Sequence, residues 1–386
     1  MRSGGLPGVA LPRLWERTAK SDRSGAPAEV AATGAKTGMR VSFDGGRLNE
    51  RGVAVALFDY AFHARALLGV EPVILHDARV PPEPAHVARF AAQFPTYAYE
   101  TEEGMQRLVE RERIDVAYFL KTARKDSRVS RSSRTAVHEV FKFFHPHGDS
   151  YAYVSQWLSE AMTAGRYPAV PHIVDPLAPR ANLRAELGIP VDAFVVGRHG
   201  AADQFNVPFA PRAIEEALAR RKNLWFILLN TARFSNHERI VHLPATPDRQ
   251  AIGNFVGSCD MGINARYVGE TFGLAIAEFL AMDKPVLVWA GGRDRNHRVL
   301  VDDPRFVYAT GRDLAAKLCA VESADWRGAW AARVAPFAPA AVMQAFSETF
   351  LAEKAGARAE PPPWLRLQRM ATDRARRLRD RLWCAL

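Results

Sequence analysis

At 386 residues the chain is long enough for two domains, each able to bury a core of its own. Hydrophobic residues make up 48% and charged residues 24%, an ordinary globular composition, and no run of about 18 uncharged apolar residues offers a membrane span. The formal charge of +10 favours acidic partners, but no zinc-finger spacing and no RNP-type aromatic strand accompanies it, so no nucleic acid is expected among them.

Residues 1–38 are rich in Ala, Gly, Ser, Pro and Arg, lack hydrophobic periodicity and contain no signal-peptide apolar segment, so they read as a disordered extension. Folded sequence is expected from Met39, with a strand over 39–43, the Gly45-Gly46 turn and a helix over 51–68. Strands follow at 73–76, 96–99, 116–120, 135–141 and 150–154, with helices at 85–94, 103–111 and 157–162. Strand and helix patterns in rotation predict a parallel sheet covered on both faces. Prolines 171, 176 and 179 punctuate a hinge, after which a second α/β series begins. It comprises strands at 193–197, 224–229, 240–243, 261–264, 285–289 and 306–308, and helices at 211–219, 249–256 and 272–282. The predicted organisation is an N-terminal Rossmann-like domain over 39–175, a C-terminal one over 176–335 and terminal helices over 336–386. Ligands of such sheets lie beyond the carboxyl ends of the strands.

The helix over 272–282 holds one carboxylate, Glu278, among otherwise apolar residues and Gly273. Burying that charge requires a partner. Two accounts compete: an arginine from a neighbouring layer, or hydroxyl groups of a ligand. Glu270 stands eight positions earlier, roughly 12 Å away if the span is helical, which is the scale of a folded nucleotide sugar.

Glu270-Thr271-Phe272-Gly273-Leu274, Glu278 and the following Lys284-Pro285-Val286-Leu287 resemble the retaining glycosyltransferases of the GT-B fold, family four in particular. The resemblance covers roughly residues 39–321 and is strongest over 269–288. It implies two Rossmann-like domains facing each other across a cleft, and a nucleotide-diphosphate sugar as donor. It also implies transfer, with retention, to a sugar, lipid-linked or other hydroxyl acceptor, as in polysaccharide biosynthesis. By the same resemblance Glu278 accepts the two ribose hydroxyls, in place of an arginine, and Glu270 holds a hydroxyl of the donor sugar. Phe272, Gly273 and Leu274 line the donor site. Arg198, in Gly197-Arg198-His199-Gly200, meets the diphosphate, and His138 contacts the transferred sugar.

The family's lysine six residues beyond that arginine is replaced by Gln204, and Arg266 is a candidate substitute. Of the glycines after the first strand, Gly52 is the candidate for close approach to the diphosphate. The nucleobase is expected near residues 243–245. No Asp-x-Asp occurs, so neither a metal nor another cofactor is implied. A nucleotide-sugar epimerase-like enzyme of the same fold and an inactive carbohydrate- or nucleotide-binding protein remain alternative readings.

Residues 364–386 form an arginine-dense amphipathic helix in which Trp364, Leu367, Ala371, Ala375, Leu378 and Leu382 recur at helical spacing. It reads either as a peripheral contact with an anionic membrane or as a helix docked on protein. The three cysteines, Cys259, Cys319 and Cys384, form no metal or disulfide spacing, which fits a cytoplasmic protein, with the tail touching the inner membrane face in the first of those readings.

Overall fold

The computed structural model describes residues 38–49, 52–122, 128–322, 330–352 and 363–385; the extension expected over 1–38 lies, Gly38 apart, outside them. The first domain carries β1 (Arg40–Asp44), α1 (Gly52–Leu68), β2 (Glu71–Asp77), α2 (Pro84–Ala91), β3 (Thr96–Tyr99) and α3 (Glu102–Arg111). It continues through β4 (Val116–Lys121), β5 (Arg134–Glu139), β6 (Ser150–Tyr153) and α4 (Gln156–Thr163). All six strands run parallel in the order β3-β2-β1-β4-β5-β6. The central strands are buried on both faces: Val41, Phe43 and Val116 through Phe119 are fully buried, and the polar Ser42, Asp44 and Lys121 are buried with them.

The second domain repeats the plan with β7 (Phe194–Arg198), α5 (Ala210–Arg220), β8 (Leu224–Leu229), β9 (Ile240–Leu243), α6 (Arg249–Ser258) and β10 (Met261–Asn264). Next come β11 (Gly269–Glu270), α7 (Leu274–Ala281), β12 (Val286–Trp289), β13 (Asp294–Arg295), α8 (Asn296–Val301), β14 (Val307–Tyr308) and α9 (Gly311–Ala320). Its main sheet is ordered β14-β12-β10-β7-β8-β9, also parallel, while β11 and β13 pair separately as a two-stranded ribbon. Counted within its own domain, this is the same strand order as in the first. Each sheet therefore has one place where the order reverses, between β1 and β4 and between β7 and β10, and there the strand-to-helix loops diverge and open a crevice.

After α10 (Trp330–Val334) the chain returns to the first domain through α11 (Pro339–Phe346) and a π-helical turn, Ser347–Leu351. Phe346 packs 5.0 Å from the Tyr118 ring and 6.1 Å from Phe43, and Arg134 on β5 donates to the carbonyls of Leu351 and Ala352. The last helix, α12 (Pro363–Ala385), lies over both domains. No helix among the described residues is long and apolar enough to cross a membrane.

Candidate active site

The two reversal points face one cavity of about 360 Å³, within the range of small-molecule sites. The first domain contributes Gly52, Arg89, Thr122, Phe141 and His172; the second contributes Arg198, Arg266, Glu270, Glu278 and the loop after β9 at Ala245 to Pro247.

Arg198 ends β7 and is 5% exposed. Its Nη1 donates to the carbonyl of Asn230 and the hydroxyl of Thr231, both at 2.8 Å, and its Nη2 donates to the carbonyl of Ala201 at 2.7 Å. Three of the five guanidinium N–H groups are thus tied to the scaffold, and two have no partner among the described residues. Burial, then repulsion from Arg266, push the group down to about 10 against the pull of Glu270 and Asp203. A cation held this firmly and solvated this poorly is prepared for an anion.

Glu270 does not sit on a helical turn. It belongs to β11, so the 12 Å helical span does not apply to the pair of glutamates. Arg266 Nη1 donates to its Oε2 at 2.6 Å and Asn264 Nδ2 to its Oε1 at 3.1 Å. Its amide donates to His297 Nδ1 at 3.2 Å, and His297 Nε2 donates to the Trp289 carbonyl at 2.9 Å, which fixes a neutral tautomer; burial lowers that ring to about 4. A carboxylate offers about four lone-pair sites, so one on each oxygen remains for a ligand. Gly269 beside it has φ +79°, and a Cβ there would run into the Asp294 carbonyl across the ribbon.

The helix expected over 272–282 begins later, at Leu274, because Gly273 is its N-cap in the left-handed region, φ +97°. That conformation favours glycine. It leaves the positive end of α7 at the cavity wall, with Phe272, Gly273 and Leu274 lining it.

Glu278 is 3% exposed and already has an arginine. Arg249, the first residue of α6, donates from Nη1 to Oε1 at 2.7 Å and from Nη2 to the Asp175 carbonyl in the hinge at 3.0 Å. His199 Nε2 lies 3.2 Å from the other oxygen, and burial, then Arg198 and Arg249, lower that ring to about 3. Burial holds the Glu278 carboxyl above its ordinary range against the pull of Arg249. The expectation of a ribose in place of an arginine is therefore corrected, since the arginine is present while the residue still borders the cavity.

His138 is also corrected. It is fully buried, its Nδ1 is 2.7 Å from the Tyr118 hydroxyl, and its ring packs among Tyr60, Tyr118 and Phe350; it does not line the cavity. Burial, with His172 nearby, lowers it to about 3. Apolar alternation along β5 pointed it into the core. The histidines of the first domain that do reach the cavity are His86, on α2, and His172, in the hinge. The Tyr60 hydroxyl donates to the Pro171 carbonyl at 2.8 Å and lies 3.1 Å from His172 Nδ1, so Nδ1–H donates to it and Nε2 is left as an acceptor.

Gly52 opens α1 at the cavity wall, but a Cβ there would meet nothing within 4 Å, so the site does not require glycine for space. Arg266 and Gln204 both line the cavity, so a second cation stands beside Arg198 although Gln204 carries none. Among the described residues no group of three or more His, Cys, Asp or Glu side chains is arranged to hold a metal ion.

No protein-family model and no curated protein matches the chain. Solved structures do. HepE of Anabaena, in complex with UDP and glucose, superposes with a TM-score of 0.60 at 16% identity, over 81% of this chain and 99% of its own. The fold is GT-B. A glycosyltransferase from Rickettsia africae aligns over 89% of this chain and 99% of its own, with 11% identity and a TM-score of 0.53. WaaG, a glycosyltransferase involved in lipopolysaccharide biosynthesis, aligns over 80% and 99%, with 12% identity and a TM-score of 0.52. In GT-B terms, the cavity above is the cleft between the two Rossmann-like domains.

Proposed function

We propose that this protein transfers a glycosyl unit from a nucleoside-diphosphate sugar to a hydroxyl acceptor, with retention at the transferred carbon and without a metal. The observation that carries the reading is the placement of Arg198, Arg266 and the amino end of α7 on one wall of the cleft, at the reversal point of the second sheet. Breaking a glycosyl–phosphate bond through an oxocarbenium-like state builds negative charge on the departing diphosphate. The buried guanidinium of Arg198, the half-buried one of Arg266, held by Glu270, and a helix N-terminus are positive groups already fixed in position to receive it.

Glu270, with one open acceptor site on each oxygen, holds a hydroxyl of the donor sugar, and His172 Nε2 accepts a second hydroxyl from the opposite wall. Glu278 keeps Arg249 and offers its remaining lone pairs to the ribose, and Ala245 to Pro247 border the base. Structures of HepE with UDP, with UDP and glucose, and with UDP-glucose support a uridine nucleotide as the first donor to try.

Calorimetry with UDP and GDP, followed by turnover assays over a donor panel with Arg198→Ala, tests the reading. Binding of one nucleotide, and a loss of about 10²–10³ in turnover for the variant, are expected. Nucleotide binding without turnover of any donor would favour the binder reading, which Gln204 in place of the usual lysine keeps in play.

A further inference from the structure

The helix α12 docks on the protein by a mostly polar side, with Leu365 buried near its start and Cys384 against the core near its end. Asp373 pairs with Lys142 of the first domain at 2.9 Å, and Asp380, 3% exposed, accepts the Gly292 amide of the second at 2.9 Å. A helix that packs on its own protein ordinarily turns its apolar stripe inward. Here the stripe faces out: Trp364, Leu367, Leu378 and Leu382 are 57%, 70%, 64% and 59% exposed. At about 100° per residue, Trp364 and Leu382 fall on one line, with Leu378 and Leu367 within about 60° of it. Arg374, Arg377 and Arg381, all exposed, run along one flank of that stripe.

A second observation points to an anionic partner. Beside α12, Arg295 and Arg298 line an open hollow with Trp157, Val299 and Asp302. Arg295 Nη2 is buried without a hydrogen-bond partner among the described residues. Burial, then Arg376, Arg379 and Arg298, push that guanidinium down to about 10, with Asp380 opposing. Arg295 thus sits among Arg298, Arg376 and Arg379; Arg376 and Arg379 are already paired with Asp373 and Asp380, and no carboxylate among the described residues pairs with Arg295 Nη2.

We infer that α12 is the surface by which this protein lies on an anionic lipid bilayer, with Trp364, Leu367, Leu378 and Leu382 in the interfacial layer and the flanking arginines on headgroup phosphates. A second copy of the chain fits less well, because pairing two such stripes brings two rows of arginine together. The two anchoring carboxylates contact different domains, so the helix that meets the lipid also spans the domain junction. The inference stands apart from the glycosyl-transfer reading, and its test involves no turnover.

Full-length protein is sedimented with vesicles of phosphatidylcholine alone and of phosphatidylcholine mixed with phosphatidylglycerol. Binding to the mixed vesicles only is expected, with an affinity loss of about tenfold or more for Arg374→Glu/Arg377→Glu/Arg381→Glu and for Leu367→Glu/Leu378→Glu. The substituted side chains are exposed, so unchanged circular dichroism and melting temperature verify the fold of each variant. Equal binding to both vesicle types, or none, overturns the inference. So does a dimer in sedimentation velocity that Leu367→Glu/Leu378→Glu dissolves.

Discussion

Glu278 and Arg249 show how a residue can satisfy two accounts at once. Removing the arginine alone strands a buried carboxylate, so Arg249→Met is expected to cost about 3–5 kcal/mol in denaturant unfolding, and adding Glu278→Gln is expected to recover much of it. Donor affinity separates the roles: Glu278→Gln should weaken nucleotide binding in either background, whereas affinity unchanged within about twofold would leave Glu278 as an ion-pair partner only. Much of this site was legible. Glu278 stands out because it interrupts an apolar run, while Glu270, Gly273 and Arg198 are picked out by the resemblance of their motifs, and all four line the cavity. Arg249 does carry a local signal: an arginine in the first turn of a helix opposes the helix dipole and asks for a compensating carboxylate. His172 carried none, because its approach to the cleft depends on how the hinge folds back onto Tyr60, a contact 112 residues away in sequence.

At the scale of elements, the main strands follow from apolar runs and the helices from their periodicity, since both are set by burial that every residue of the element shares. The ribbon of β11 and β13 has two residues per strand and no period to detect, yet it carries Glu270. Its register depends on Gly269. Placing a Cβ at φ +79° against the Asp294 carbonyl must either spread the ribbon or rotate Glu270 out of reach of Asn264 and Arg266. Gly269→Ala is therefore expected to raise the donor KM about tenfold or more and to lower the melting temperature by several degrees, a loss of about 1–2 kcal/mol from the left-handed backbone alone. Gly52→Ala is the control. A Cβ there meets open space at the cleft, and its melting temperature should stay within about 1 °C of the parent.

Over the whole molecule, buried titratable groups of opposite kinds offset one another, which decides how an acid response is to be measured. His138, His172 and His199 are lowered to about 3 and His297 to about 4, spread over both domains, so each stays neutral when folded. Below about 6.5 the unfolded chain takes up protons that these rings refuse, and stability is lost as pH falls. Buried carboxyls act the other way. Glu139 is raised to about 8, chiefly by burial, so its folded form holds a proton the unfolded chain has released, and burial shifts Asp44, Asp59, Glu278 and Asp294 in the same direction. The net slope of stability with pH is a difference of these terms, but a single histidine can be isolated from it. His138→Phe removes one refusing ring and one hydrogen bond to Tyr118; the bond's loss, about 1 kcal/mol, is the same at every pH, and the ring's penalty is not. Between pH 7.5 and 5.5 the parent loses about 1 kcal/mol through His138 that the variant does not lose. The stability gap between parent and variant, from denaturant titrations at each pH, should therefore narrow by that amount as pH falls. Turnover per folded molecule should stay within about threefold, because His138 lies outside the cleft. A gap that is constant with pH would mean that His138 titrates freely in the fold, and a hundredfold loss of turnover would return it to the sugar.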